Sequence, residues 1–379
     1  MTKEKDLNLS SNPSEKDAEL SVGTAGSGVE TGPDPAGEKK GALKWRLLIP
    51  PVIVLAILGL YVIFTRQDDQ SLEQILLITM DTSIDIRFTE GDLESRELES
   101  AVRSLVEELE RTFSRTLEES DVSAVNRAAG AGPVAVSPET AYVASRALYY
   151  ADLTSGSFDP TIAPLIDLWG FLNENYRLPD SEEIEAALPL VDYRRLIVDA
   201  GAAEIGLNEK WMGLELGGIA KGYIVDRLME LLVDSGVEHA FVNAGGDIAI
   251  HSTRPDGNPW RIGIANPRDR TALIAIMTAS GGSVVTSGDY ERGFEVDGVN
   301  YHHILDPKTG MPARGLSSVT VVAERAIDAD ALSTAIFVIG LEDGLELAES
   351  LAGVEVVIVT EELEIFYTSG LSGLLEIVE

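Results

Sequence analysis

Residues 213–251 read GLELGGIAKGYIVDRLMELLVDSGVEHAFVNAGGDIAIH, and their pattern decides the fold class. Gly213–Leu216 is strand-like, Gly217-Gly218 turns the chain, and apolar residues at helical spacing carry a helix to about Val233. Ala240–Val242 and Ile248–His251 then read as two strands. Only a short polar, Gly-containing turn, Asn243-Ala244-Gly245-Gly246-Asp247, separates them. Strands and helices therefore do not alternate strictly, which favours α+β over a doubly wound parallel sheet.

The same irregular order continues outward. Ile75–Met80 and Ser83–Phe88 read as paired strands, and Leu93–Phe113 and Pro138–Leu153 as helices. Asp180–Leu188 is a short helix with Ser181 or Asp180 as its cap. Further strands are expected at Leu196–Val198, Trp260–Ile264, Ile274–Thr278, Ser283–Thr286, Gly293–Val296 and Ser318–Val322. Asp328–Ile339 and Gly344–Leu351 are helices, and Val356–Val359 and Ile365–Tyr367 close the chain as strands.

The first 46 residues are rich in Gly, Ser, Pro, Glu, Asp and Lys and hold no aromatic before Trp45, the composition of a disordered tail. Residues 47–64, LLIPPVIVLAILGLYVIF, form an uncharged run of about 27 Å as a helix, enough for one membrane span. Pro50 and Pro51 fall in its first turn, where a missing N–H does little harm. Lys39, Lys40, Lys44 and Arg46 precede it, whereas Asp68, Asp69 and Glu73 follow Arg66. The positive-inside bias puts the tail in the cytoplasm and the rest outside. Residues 65–74 then read as a linker and 75–379 as the folded domain.

The 379 residues carry a formal charge of −34 and no cysteine. Seven basic and eight acidic residues nearly cancel in the tail, so the folded domain holds almost all of that charge. No basic surplus exists to replace counterions on nucleic acid. Disulfides and thiolate ligands are excluded, and four histidines leave few ligands for zinc or copper. Only Lys210, Lys221 and Lys308 follow Arg66, and the last two fall within motifs.

Three segments carry chemistry. Asp330 and Thr334 lie four apart on a helix, so their oxygens share a face suited to Mg²⁺. A plain helix start, with Asp328 as its cap and Asp330 favouring the dipole, explains the same residues. The Gly217-Gly218 turn offers backbone N–H groups to an anion, or a carbonyl of Gly218 to a cation. Lys221 sits in the following first turn, where a cation is unfavourable unless an anion or carboxylate compensates. His303, in Tyr301-His302-His303-Ile304-Leu305-Asp306-Pro307-Lys308-Thr309-Gly310, is a candidate base. Composition does not separate it from His302, though in a strand the two face opposite sides.

GSFDPTIAPLIDLWGF, ELGGIAKGYIVDRL, NAGGDI, TSGDYERGF, HHILDPKTG and DADALSTAIFVIG, in this order, resemble the successive signatures of the ApbE family, the FAD:protein FMN transferases. The resemblance spans about residues 75–370. It implies an α+β fold holding FAD in a cleft between two lobes. It also implies a Mg²⁺-dependent reaction in which FAD is cleaved, AMP leaves, and FMN is esterified through phosphate to a Thr or Ser of an acceptor flavoprotein. By the same resemblance Gly218 (through its carbonyl), Asp330 and Thr334 hold the metal. Met80, Asn126, Ser157, Phe158, Asp159, Glu215, Lys221 and Ile304 bind FAD, and His303 is the base. Two positions depart from the pattern: Thr116 stands where an aromatic is common, and Glu215 where Asp is. Hydrolysis of FAD to FMN and AMP at the same site, or flavin binding and delivery without catalysis, are the alternative readings.

Overall fold

The computed structural model describes residues 72–79 and 82–378. The tail, the apolar run 47–64 and Met80 lie outside them. No helix among the described residues is long and apolar enough to cross a membrane.

Eight strands form the main sheet, and their spatial order is their chain order. They are Glu73–Thr79, Thr82–Phe88, Ala240–Ala244, Asp247–His251, Gly282–Gly288, Leu316–Ala323, Glu355–Thr360 and Ile365–Tyr367. Every adjacent pair is antiparallel. The helices are thus inserted between strands that return beside their predecessors, an α+β arrangement. The first strand starts at Glu73, two residues before the expected edge of the domain.

Both faces of the sheet are covered, which explains why its later strands read as unbroken apolar runs. In Glu355–Thr360, Val356 and Ile358 join the core beneath the helices, while Val357 and Val359 pack on the opposite side. That opposite side is closed by a three-stranded sheet of Trp260–Asn266, Asp269–Ala279 and Leu375–Ile377. The helices Ser95–Phe113, Ala220–Asp234 and Ala326–Ile339 supply the first core. Ala326–Ile339 buries ten of its fourteen residues, as a helix apolar on nearly all sides must. Asp330 and Ser333 are the buried polar exceptions to that apolarity.

Two helices meet closely at Gly222. A methyl group there would lie 2.3 Å from the Ala326 carbonyl oxygen and 2.8 Å from Asp330 Cβ. Gly222→Ala is therefore expected to destabilise the protein by about 2 kcal/mol through overpacking, measured by denaturant unfolding. An unchanged midpoint would mean that the helices separate without cost.

Several expectations need correction. Gly213–Leu216 is not a strand: only Gly213 makes a bridge, parallel to Ile162. The Asn126 side chain holds Leu214 instead, its amide donating to the Leu214 carbonyl at 3.1 Å and accepting from the Leu214 N–H at 2.6 Å. Asp328 does not cap the helix Ala326–Ile339. That role falls to Asp226, which accepts from the N–H groups of Ala326 and Ile327 at 2.8 and 3.1 Å. Asp328 lies within the first turn and pairs with Arg146. Of the two caps considered for the short helix Ser181–Ala187, Asp180 is the one used, in a capping box with Glu183.

Candidate active site

The site forms where the start of the helix Ala220–Asp234 lies against the middle of the helix Ala326–Ile339, which runs antiparallel to it. Gly218 precedes the first helix, and a Cβ at this position would stand 3.5 Å from Thr334 Oγ1 and 3.2 Å from the Phe158 ring. Three residues far apart in the chain thus converge, and glycine keeps the space between them open. Asp330, buried to 3 % exposure, accepts the Gly222 N–H at 2.9 Å. Ser287 Oγ lies 2.8 Å from Ser333 Oγ and 3.3 Å from Thr334 Oγ1, tying the strand Gly282–Gly288 to the helix.

Not all backbone donors of the Gly217-Gly218 turn face outward, as an anion cradle would require. The Gly217 N–H donates to Glu215 Oε1 at 2.7 Å, and those of Ile219 and Ala220 donate to the Leu216 carbonyl. Positive charge comes from Lys221, whose Nζ donates to both oxygens of Asp247 at 3.1 and 3.0 Å. Burial works against that charge, but Asp247, Asp330 and Glu291 outweigh it and hold the ammonium above its ordinary pKa. Here is the carboxylate that a lysine in a first helical turn demands. Burial and the neighbouring Asp247 push the Asp330 carboxyl up to about 7.

The structure separates the two histidines. His302 is buried, its Nε2 2.8 Å from the Ala313 carbonyl oxygen and its ring edge-on to Phe337. His303 is only half-buried by exposed area, although protein surrounds it closely. Its Nδ1 lies 3.3 Å from the Arg292 carbonyl oxygen. A carbonyl can only accept, so Nδ1 carries the proton and Nε2 keeps its lone pair. Burial first, then the charges of Arg292 and His302, push this imidazole down to about 3.

The other expected residues fall into three groups. Glu215 lies against the turn and accepts from Arg115 at 2.8 Å, and Arg115 also grips Asp167 through two bonds of 2.8 Å. Asn126, as above, spends its side chain on Leu214, and Ile304 is buried in the core with its carbonyl accepting from Ala313. Ser157 and Asp159 are buried in the loop that presents Phe158. Asp159 accepts from the Thr161 N–H and hydroxyl and from the Tyr193 N–H. Two recesses, of about 340 and 350 Å³, adjoin this loop and share Ser155 and Lys308. None of Gly218, Lys221, His303, Asp330 or Thr334 lines either one, so charge and donor chemistry, not cavity size, mark the cluster.

Sequence reading missed Asp247 and Arg115 as partners. Both lie within segments it had singled out, NAGGDI and the stretch around Thr116, but their partners stand 26 and 100 residues away. Among the described residues no three His, Asp or Glu side chains converge on a metal position. The oxygens that do converge are one carboxylate, one hydroxyl and the Gly218 backbone.

An antiparallel α+β frame carrying a lysine paired to a buried carboxylate, beside a hydroxyl and a free imidazole nitrogen, defines a protein equipped for phosphate chemistry. The ApbE family model matches residues 80–358, and the chain belongs to that family. It is 36 % identical over 274 residues to a FAD:protein FMN transferase of Klebsiella pneumoniae (strain 342), covering 72 % of this chain and 85 % of that one. A FAD:protein FMN transferase of Treponema pallidum (strain Nichols) is 33 % identical over 287 residues, 71 % of this chain and 79 % of the relative. Among solved structures, the ApbE protein of Thermotoga maritima superposes with a TM-score of 0.75 at 38 % identity, over 80 % of this chain and 99 % of that one. The flavin transferase ApbE of Vibrio cholerae gives 0.72 at 31 %, with the same coverage.

Proposed function

We propose that this protein is a Mg²⁺-dependent FAD:protein FMN transferase. The observation that carries the reading is the convergence of Gly218, Thr334 and Asp330 where the start of one helix meets the middle of the other, with Lys221 alongside. A carboxylate, a hydroxyl and a main-chain carbonyl are hard oxygen donors, the set Mg²⁺ prefers when water and phosphate complete its shell. When bound, the ion would neutralise charge on the pyrophosphate of FAD. Lys221 contributes a fixed positive charge to the same phosphates. Phe158, Glu215 and the residues around them would hold FAD in a cleft, and His303 Nε2 would accept the proton of the attacking hydroxyl. In the transfer, the acceptor oxygen bonds to the phosphorus of FMN as the pyrophosphate P–O bond breaks. AMP then leaves.

We propose further that the run 47–64 anchors the enzyme in the cell membrane with residues 75–379 outside, facing exported or membrane-bound acceptor flavoproteins. The apolar length and the flanking charges support this. Protease added to sealed spheroplasts should then remove the domain and spare the tail.

The deciding experiment incubates the purified protein with FAD, Mg²⁺ and a Thr-containing exported flavoprotein domain, read by intact-protein mass spectrometry with a chelator control. A chelator-sensitive gain of one FMN minus water is expected on the acceptor. Release of FMN and AMP without any adduct, across several such acceptors, would overturn transfer in favour of hydrolysis.

A further inference from the structure

We infer that Asp247 is a positioning residue: its buried carboxylate fixes the Lys221 ammonium at the start of the helix Ala220–Asp234, so that an anionic ligand meets a cation already in place. The inference deepens the reading above and rests on it for the identity of the ligand.

The geometry is specific. Asp247 has a fully buried side chain, whereas Lys221 keeps 34 % of its side-chain exposure. Both carboxylate oxygens accept from Lys221, which is the sole hydrogen-bond donor to that side chain among the described residues. The carboxylate stands at the head of the strand Asp247–His251, behind a turn in which Gly245 and Gly246 take φ of 62° and 105°. A Cβ on Gly245 would lie 2.3 Å from Thr82 Oγ1, and its N–H donates to the Ser83 carbonyl, so the turn is pinned to the neighbouring strand.

An ion pair in such a place is a poor source of stability, since apolar residues of similar volume serve as well or better. What it supplies is a fixed charge on a side chain otherwise free to rotate about four bonds. It also chooses among competitors. Asp330 and Glu291 act on the same ammonium, yet the hydrogen bonds go to Asp247. Lys221 is thereby held off Asp330, whose carboxylate the proposed metal requires.

The test has a flavin-free arm and a flavin arm, both on the full chain. In the first, acetic anhydride labels lysines in the apoprotein and peptide mass spectrometry reads Lys221 against Lys210 and Lys308. Asp247→Asn should raise the Lys221 labelling rate about tenfold, since both carboxylate contacts that hold the ammonium protonated and engaged are lost. In the second, FAD binding is followed by fluorescence. Asp247→Asn should weaken it about tenfold, and adding that change to Lys221→Met should weaken it no further, because both act through one contact. Asp247→Glu, which keeps the charge one methylene further out, should restore part of both effects and serves if the Asn variant does not fold. Protection and FAD affinity at wild-type level in both Asp247 variants would overturn the inference, as would additive losses. Wild-type protein that fails to bind FAD would instead overturn the functional reading, and the labelling would still decide whether Asp247 fixes the ammonium.

Discussion

Asp330→Asn is expected to lower transfer by about 10³-fold, equivalent to about 4 kcal/mol of transition-state stabilisation, while leaving the fold as stable as before or more so. The two effects have separate causes. An Asn at this position still offers an oxygen to the Gly222 N–H, which Asp330 now binds at 2.9 Å, so the contact between the helices survives. The lost negative charge was unfavourable in the metal-free protein: burial and Asp247 raise this carboxyl to about 7, against a smaller pull from Lys221 and Gly222. Because the folded state binds this proton more tightly than the unfolded chain, its stabilisation is present at low pH and lost as pH rises through about 7. The metal-free wild type should therefore lose melting temperature between about pH 4 and 7 and level off above that, and the Asn variant should lack that decline. Proton and cation compete for the same carboxylate, so Mg²⁺ affinity should fall with pH below about 7. Calorimetric titration of Mg²⁺ at pH 6 and pH 8 reads this directly. A variant that retains Mg²⁺-dependent turnover would remove Asp330 from the metal site.

Much of this arrangement was legible in the sequence where the information is local. The helix Ala220–Asp234 declares itself by spacing, and the strands Ala240–Ala244 and Asp247–His251 by the Gly-containing turn between them. Failures came where one backbone group depends on a distant side chain. Gly213–Leu216 looks like a strand because Leu214 and Leu216 alternate with polar or small residues. Yet Asn126, 88 residues earlier, supplies the bonds a neighbouring strand would have made. Asp328 looks like a cap because it is an Asp near a helix start, but Asp226 reaches that start from the adjacent helix. The strand Val299–His302 was overlooked because it is four residues long and its one aliphatic residue, Val299, is the exposed one, which leaves little apolar pattern. The site follows the same rule. A lysine in a first helical turn signals that a carboxylate is needed; only the fold identifies it as Asp247 and sets Asp330 within reach of the same charge.

His303→Ala should reduce transfer by about 10²- to 10⁴-fold, the range for loss of a positioned general base, with FAD affinity changed less than about twofold. The neighbouring His302 provides the control. Its ring is buried against Phe337 and bonded to the Ala313 carbonyl, so His302→Ala should cost stability, not chemistry. His303 instead offers Nε2, because the Arg292 carbonyl fixes the proton on Nδ1. Its pKa, pushed down to about 3 by burial and then by Arg292 and His302, keeps the ring neutral throughout the physiological range. A folded-state value below the ordinary one means that this group's contribution to stability is present above about pH 6.5 and is lost as pH falls towards 3. The rate should accordingly show no acid limb near pH 6.5 from this histidine, once Mg²⁺ is saturating and the Asp330 titration is suppressed. Such weak basicity suits a partner that takes its proton only as the oxygen–phosphorus bond forms: the hydroxyl need not ionise beforehand, and the imidazole is never lost to solvent protons. Stopped-flow transfer rates from pH 5 to 8, for wild type and the Ala variant, examine both statements together. An unchanged rate in the variant would end the role of His303 as base. A wild-type limb centred near 6.5 and absent from the variant would keep the base but show that its ring titrates as an ordinary exposed histidine.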